Sequence, residues 1–174
     1  MQAKTDSLVQ RACDGDAQAF GELYELYARQ LYRYAYSVLG SQQAALDAVQ
    51  DAVCAAFSGI SSLRNEEAFK AWLFKILSNV CSQYCTDLAR QRGTVPLEDF
   101  AAQTLEAPPS DPGNLFELET ALQTLEPLER QIVVLSAVEG YKSGEIAVLL
   151  GCPPGTVRSK LSRSLKKLRR YMEC

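Results

Sequence analysis

Periodicity fails once in this chain, and that break constrains the fold more than any other feature. From Arg92 to about Asn114 the sequence contains Gly93, Pro96, Pro108, Pro109, Pro112 and Gly113 with no sustained repeat. On both sides apolar residues return every three or four positions, the helical spacing. Proline fixes φ and removes a backbone donor, so the intervening stretch reads as an extended linker. No strand-like alternation persists for more than a few residues. The expected fold is therefore all-α: two small helical domains, residues 1–92 and 114–174, joined by an acidic, Pro-containing linker over 93–113.

The first block predicts three long helices. Asp16 is placed to cap a helix whose apolar positions are Phe20, Leu23, Tyr24, Tyr27, Leu31, Tyr34, Ala35 and Val38, stopped by Gly40. Ser41 caps the next, expected to bury Ala45, Val49, Val53 and Phe57 and to end near Ser58 and Gly59. The third runs from about Glu66 to Arg90 with the stripe Phe69, Trp72, Leu73, Ile76, Leu77, Val80 and Tyr84; Lys75, Asn79, Ser82, Gln83 and Thr86 lie on its outer side.

Composition removes much chemistry. The chain has no histidine, which excludes Ser-His-Asp and Cys-His catalysis and zinc sites of the Cys/His kind. Its six cysteines are dispersed; the closest pair, Cys81 and Cys85, would sit one helical turn apart as buried thiols, with no further ligands nearby for a metal. No catalytic residue, metal or cofactor is expected. No apolar run approaches the ~18 residues of a membrane span, and the N-terminus has no apolar signal region, so the cytoplasm is the expected compartment.

Charge is segregated. The net charge of -3, from 18 Lys plus Arg against 21 Asp plus Glu, is an average over opposed blocks. Residues 93–129 hold eight acids and no base, whereas 156–171 hold seven bases (Arg158, Lys160, Arg163, Lys166, Lys167, Arg169 and Arg170) and no acid. The acidity is a linker property that hides a basic C-terminal helix.

After Gly113 the period resumes with a helix over about Leu115–Leu125 and another opened by Pro127 and ended by Gly140. Ser143 is the expected cap of a short helix burying Ile146, Ala147 and Leu150. Ala147 permits close helix crossing, Gly151 permits the positive φ of a tight turn, and Val157 and Leu161 point inward from the last helix. This spacing is that of a DNA-binding helix-turn-helix. Thr156, Arg158, Ser159, Ser162 and Arg163 would enter the major groove, and Lys166, Lys167, Arg169 and Arg170 would reach phosphates.

Together the blocks GDAQAFGELYELY, LDAVQDAV, FKAWLFKILSNV and LEPLERQIVVLSAVEGYKSGEIAVLLGCPPGTVRSKLSRSLKKLR, in this order over about residues 12–170, resemble a bacterial RNA polymerase sigma factor of the extracytoplasmic-function (ECF) group. The resemblance implies a function in promoter-specific transcription initiation, with polymerase performing the chemistry. It implies that Asp47, Gln50 and Asp51 dock on the coiled coil of the polymerase β′ subunit. The loop of Ser61 to Glu67, including Arg64 and Asn65, and the helix face Lys75, Asn79 and Gln83 would read the -10 element as melted strand. The last domain would read the -35 element as duplex and touch the β flap. The linker, with Glu98, Asp99, Glu106 and Asp111, would thread a basic tunnel of polymerase. An anti-sigma factor and a monomeric state are also implied. Trp72 falls on the apolar stripe and reads as core. The sequence departs from the family at Leu46, Ala48 and Val53, and the end of the third helix is poor in Lys and Arg. The competing expectation is a free-standing helix-turn-helix regulator, binding a palindromic operator as a dimer without polymerase.

Overall fold

A computed structural model of the chain describes residues 2–94 and 112–173. The acids Glu98, Asp99, Glu106 and Asp111 lie outside these residues. Eight α-helices are present among the described residues: α1 Gln2–Cys13, α2 Ala17–Leu39, α3 Gln42–Gly59, α4 Phe69–Thr94, α5 Pro112–Gln123, α6 Pro127–Ala137, α7 Ser143–Leu150 and α8 Pro154–Met172. Two 3₁₀ turns, Ile60–Ser62 and Glu66–Ala68, connect α3 to α4.

The capping chemistry explains most boundaries. Asp16 accepts from the backbone N–H groups of Gln18 and Ala19 at 3.0 and 3.1 Å, and Ser41 caps α3 through Ala44. Between these helices Gly40 takes φ +67, a left-handed conformation that glycine adopts without strain. A side chain there would also meet Gln123, whose atoms come within 2.6 Å of where a Cβ would stand. At α7 the expected cap moves by one residue. Lys142 holds the N-cap position, and its N–H donates to Glu145 Oε2 at 2.7 Å; Ser143 is the first helical residue. Glu145, three residues on, supplies the acceptor for that N–H, the half of a capping box that the N3 residue provides.

In the first unit α2 packs against α1, α3 and α4, and α3 packs against α4. Leu8, Val9 and Ala12 of α1 are buried, a turn of core that the sequence reading did not assign to a helix. On α3 the inner stripe is Ala45, Ala48, Val49, Ala52 and Ala56, narrower than expected: Val53 is half-buried and Phe57 is half-exposed, its ring edge-on to Phe20 at 5.1 Å. Small residues bring α3 close to α2, leaving no room for Phe57 between them. On α4 the buried row includes Phe74, Ser78 and Cys81 as well as Phe69, Leu73 and Leu77. Trp72 is half-buried, tilted against Phe69 at 6.1 Å and beside Gly59, so it packs with the core as expected.

The second unit does not stand apart from the first. α6 packs on α2 and α4, and α7 packs on α4, so both units share one contiguous apolar core. Polar side chains fix the register of this contact. The Tyr34 hydroxyl lies 2.9 Å from Ser78 Oγ and donates to Gln131 Oε1 at 3.1 Å, and Gln131 Nε2 donates to Ser82 Oγ at 2.9 Å. Burial holds the Tyr34 phenol far above its ordinary pKa, so it remains a donor. Arg130 reaches the Val38 carbonyl and Gln123 Oε1, and Phe74 meets Tyr141 edge-on at 6.0 Å. A buried amide costs stability unless both its ends are bonded, so any slip between the units would orphan Gln131.

Candidate nucleic-acid interface

The helix-turn-helix is formed by α7 and α8. Gly151 takes φ +63 and donates its N–H to the Ala147 carbonyl, and Cys152 N–H reaches the same oxygen at 3.0 Å. That pair of hydrogen bonds to one carbonyl ends α7 abruptly and redirects the chain through Pro153 into α8. Ile146, Ala147 and Leu149 of α7 and Val157, Ser164 and Leu168 of α8 are buried, with Leu150 and Leu161 partly so. Leu149 replaces Leu150 as the deepest residue at the end of α7.

This packing leaves Arg158, Ser159, Ser162, Arg163, Lys166, Arg169 and Arg170 exposed and Thr156 half-exposed. Ser159 and Arg163 make only local bonds, to the carbonyls of Thr156 and Ser159. The inward edge of α8 is different. Lys167 Nζ lies 3.0 Å from Glu129 Oε2, and Lys160 lies between Glu126 and Glu129 at 3.5 and 4.0 Å. Burial raises the Glu129 pKa, but the Lys167 hydrogen bond, the Glu126 N–H and the two ammonium charges together hold it below the ordinary glutamate value. Lys167 is thus ion-paired within the second unit, unlike Lys166 beside it.

On the first unit Lys75, Asn79 and Gln83 are all exposed and lie one turn apart on α4, a single polar row. Arg64 and Asn65 are exposed in the preceding loop, where Asn65 Oδ1 accepts from Glu67 N–H at 3.0 Å and shapes the entry to α4. Lys75 is the one basic residue in the row, so this face carries far less charge than α8.

The third predicted group lies on α3. Gln50 and Asp51 are exposed and Asp47 is half-buried. Asp47 accepts from Gln43 Nε2 at 3.0 Å and Asp51 from the Tyr84 hydroxyl at 2.8 Å; that bond, with partial burial and the nearby carboxylates, pushes the Tyr84 pKa up to about 12. Ser41, Gln43, Ala44, Asp47, Tyr84, Asp87, Leu88 and Gln91 line a shallow acidic groove between α3 and α4. Leu46, on the same helix, is exposed. Cys81 is fully buried and its thiol is pushed well up by burial and by Cys85, in keeping with an inert core thiol. No cluster of His, Cys, Asp or Glu suited to a metal occurs among the described residues, and none of their helices is long and apolar enough to cross a membrane.

Both units match known proteins. Residues 23–91 match the family model for sigma-70 region 2, and residues 115–168 match that for sigma-70 region 4. The ECF RNA polymerase sigma factor SigM of Mycobacterium tuberculosis is 32% identical over 91% of this chain and 79% of its own length. The ECF RNA polymerase sigma-E factor of Escherichia coli is 30% identical over 90% of this chain and 88% of its own. Among solved structures, the sigma factor RpoE of Bartonella quintana, in complex with the anti-sigma factor NepR, superimposes with a TM-score of 0.75 at 26% identity, covering 90% of this chain and 98% of that one. With both regions matched in order, and relatives of this identity spanning nearly its whole length, the chain belongs to the ECF group of RNA polymerase sigma factors.

Proposed function

We propose that this sigma factor divides promoter recognition between its two helical units, residues 1–92 and 114–174, while core RNA polymerase performs the chemistry. The observation that carries this reading is the exposed row on α8. Arg158, Ser159, Ser162 and Arg163, with Thr156 at their start, project from a buried helix-turn-helix scaffold and suit bidentate and hydroxyl contacts to base edges of a -35 duplex. Lys166, Arg169 and Arg170 extend that face along phosphates, and Lys167 stands at its rim.

Arg64, Asn65, Lys75, Asn79 and Gln83 form the surface for the melted -10 strand, where amides and a few cations track unpaired bases. Asp47, Gln50 and Asp51, with exposed Leu46 among them, form the docking surface for the β′ coiled coil. The second unit also meets the β flap. An anti-sigma factor is the fitting regulator, since the structural relative from Bartonella quintana is bound to one. The protein works in the cytoplasm as a monomer.

Both reading faces are open in the packed arrangement, yet one body cannot read both elements at once. Positions -10 and -35 are about 85 Å apart along B-DNA at 3.4 Å per base pair, whereas a folded chain of this length is about 40 Å across. The 17 residues between the end of α4 at Thr94 and the start of α5 at Pro112 can span at most about 60 Å. Promoter binding therefore requires α6 and α7 to leave α2 and α4.

The decisive experiment mixes the purified chain with core polymerase and assays run-off transcription from genomic fragments. A complex that initiates at asymmetric two-part sites is expected; no complex with core, together with dimeric binding to a palindrome, would establish the free-standing regulator instead. Within that assay Arg158→Ala is expected to cost roughly 1–3 kcal/mol at one -35 base pair and to relax specificity there. Lys166→Ala should weaken all sequences alike.

A further inference from the structure

The seven cations of α8 divide into two sets. Five, Arg158, Arg163, Lys166, Arg169 and Arg170, are exposed on the side of α8 turned away from the core. The other two, Lys160 and Lys167, are two turns apart on one edge and converge on Glu129 of α6. The Glu129 side chain is only 7% exposed, and its Oε2 also accepts from the backbone N–H of Glu126 at 3.4 Å. Helical geometry at 100° per residue puts the Lys160–Lys167 edge about 40° from Thr156 and Arg163, each four residues from one of the two lysines, so a freed lysine there would flank the reading row.

Phosphate contacts raise affinity for every sequence equally, whereas base contacts separate one sequence from another. Two further free lysines on that edge would add phosphate contacts without adding any base contact.

We propose that Glu129 is a positioning residue, which withholds Lys160 and Lys167 from DNA phosphates and so limits the sequence-independent grip of α8 on duplex DNA. The proposal rests on α8 being the duplex-reading helix. Glu129 itself does not touch DNA.

The test uses the full chain and two probes: a 20-base-pair duplex selected by the parent protein from a random pool, and a scrambled version. Affinities are measured between 50 and 200 mM salt. Glu129→Gln is expected to bind the scrambled duplex several-fold more tightly at 50 mM salt. Its salt dependence should steepen by about one to two logarithmic units per decade, one for each lysine that reaches a phosphate, the lower figure applying if Lys160 stays with Glu126. The selected duplex should gain by a similar factor, since neither lysine reads a base. Adding Lys160→Gln and Lys167→Gln should return the slope to the parent value.

An unchanged slope in Glu129→Gln, or equal weakening of both duplexes with a lowered melting temperature, would show Glu129 to be structural only and overturn the proposal. If the single variant does not fold, the triple variant decides, because it leaves no buried charge unpaired. The parent slope supports the proposal, and a slope shallower by one to two overturns it, since the lysines would already have been on phosphates. A parent chain that selects no duplex, or whose selection Arg158→Ala leaves unaltered, refutes the reading of α8 itself.

Discussion

Glu129 and Glu139 are both carboxylates with buried side chains, 7% and 2% exposed, and each is held by two cations. The difference is where the cations come from. Lys160 and Lys167 belong to the same unit as Glu129. Glu139 is held across the contact between units, by Arg33 of α2 at 2.9 Å and Lys70 of α4 at 3.6 Å. Lys70 also lies over the rings of Phe74 and Tyr141 at 5.5 and 5.6 Å. A buried charge stripped of its partners must be rehydrated. Glu139 can regain water by parting the two units, whereas Glu129 can do so only by loosening α6 from α8. The same chemistry thus stabilises a fold in one place and an arrangement of folds in the other.

Four measurements would break or sharpen this contrast. The largest effect is expected from Lys160→Ala with Lys167→Ala, which leaves Glu129 with the Glu126 N–H alone. Removing the partners of a buried charge costs up to about 3–5 kcal/mol, and half-exposed Lys167 reduces this to about 1–3. It should be read as lost cooperative melting of the second unit. Arg33→Ala with Lys70→Ala should cost about 1–2 kcal/mol of contact between the units. Its signature is a larger hydrodynamic radius with helix content retained; an equal loss of helix in both variants would dissolve the contrast.

Tyr34→Phe should cost about 1 kcal/mol, since Gln131 Oε1 and Ser78 lose their shared hydroxyl, and it should act on the same parting of the units. The smallest effect concerns acidity. Because the folded Glu129 pKa is held down, its contribution is complete above the unfolded value of about 4.3 and is lost as pH falls through the folded one. Melting of the second unit, followed from pH 6 to 3, should decline below about pH 4, and Glu129→Gln should flatten that decline.

The contrast also shows what could be read from residues in order. Helix ends were legible wherever the signal was local: Asp16, Ser41, Gly40 and Gly151 act on backbone groups within a few residues, and each sits where its chemistry predicts. The cap of α7 was misread by one residue: Glu145 reaches back to accept from the Lys142 N–H, and the helix begins with Ser143 inside it. The α8 reading row was legible because amphipathic spacing sorts inner from outer residues. Lys167 was not distinguishable from Lys166, as what separates them is a carboxylate 38 positions away on α6. Phe57 was expected in the core on the same spacing rule, and alanines on α3 left it at the edge.

The sequence by itself determined an all-α chain, a break at the linker, a helix-turn-helix at its end and the family to which these belong, because periodicity, caps and turn residues act over one or two helical turns. Only the tertiary structure decided that the two units close on each other. Tyr34, Ser78, Ser82, Gln131, Arg33, Lys70 and Glu139 are ordinary polar residues in order of sequence. They become a contact when folding brings positions up to about a hundred residues apart within hydrogen-bond reach, where desolvation makes each unmade bond costly.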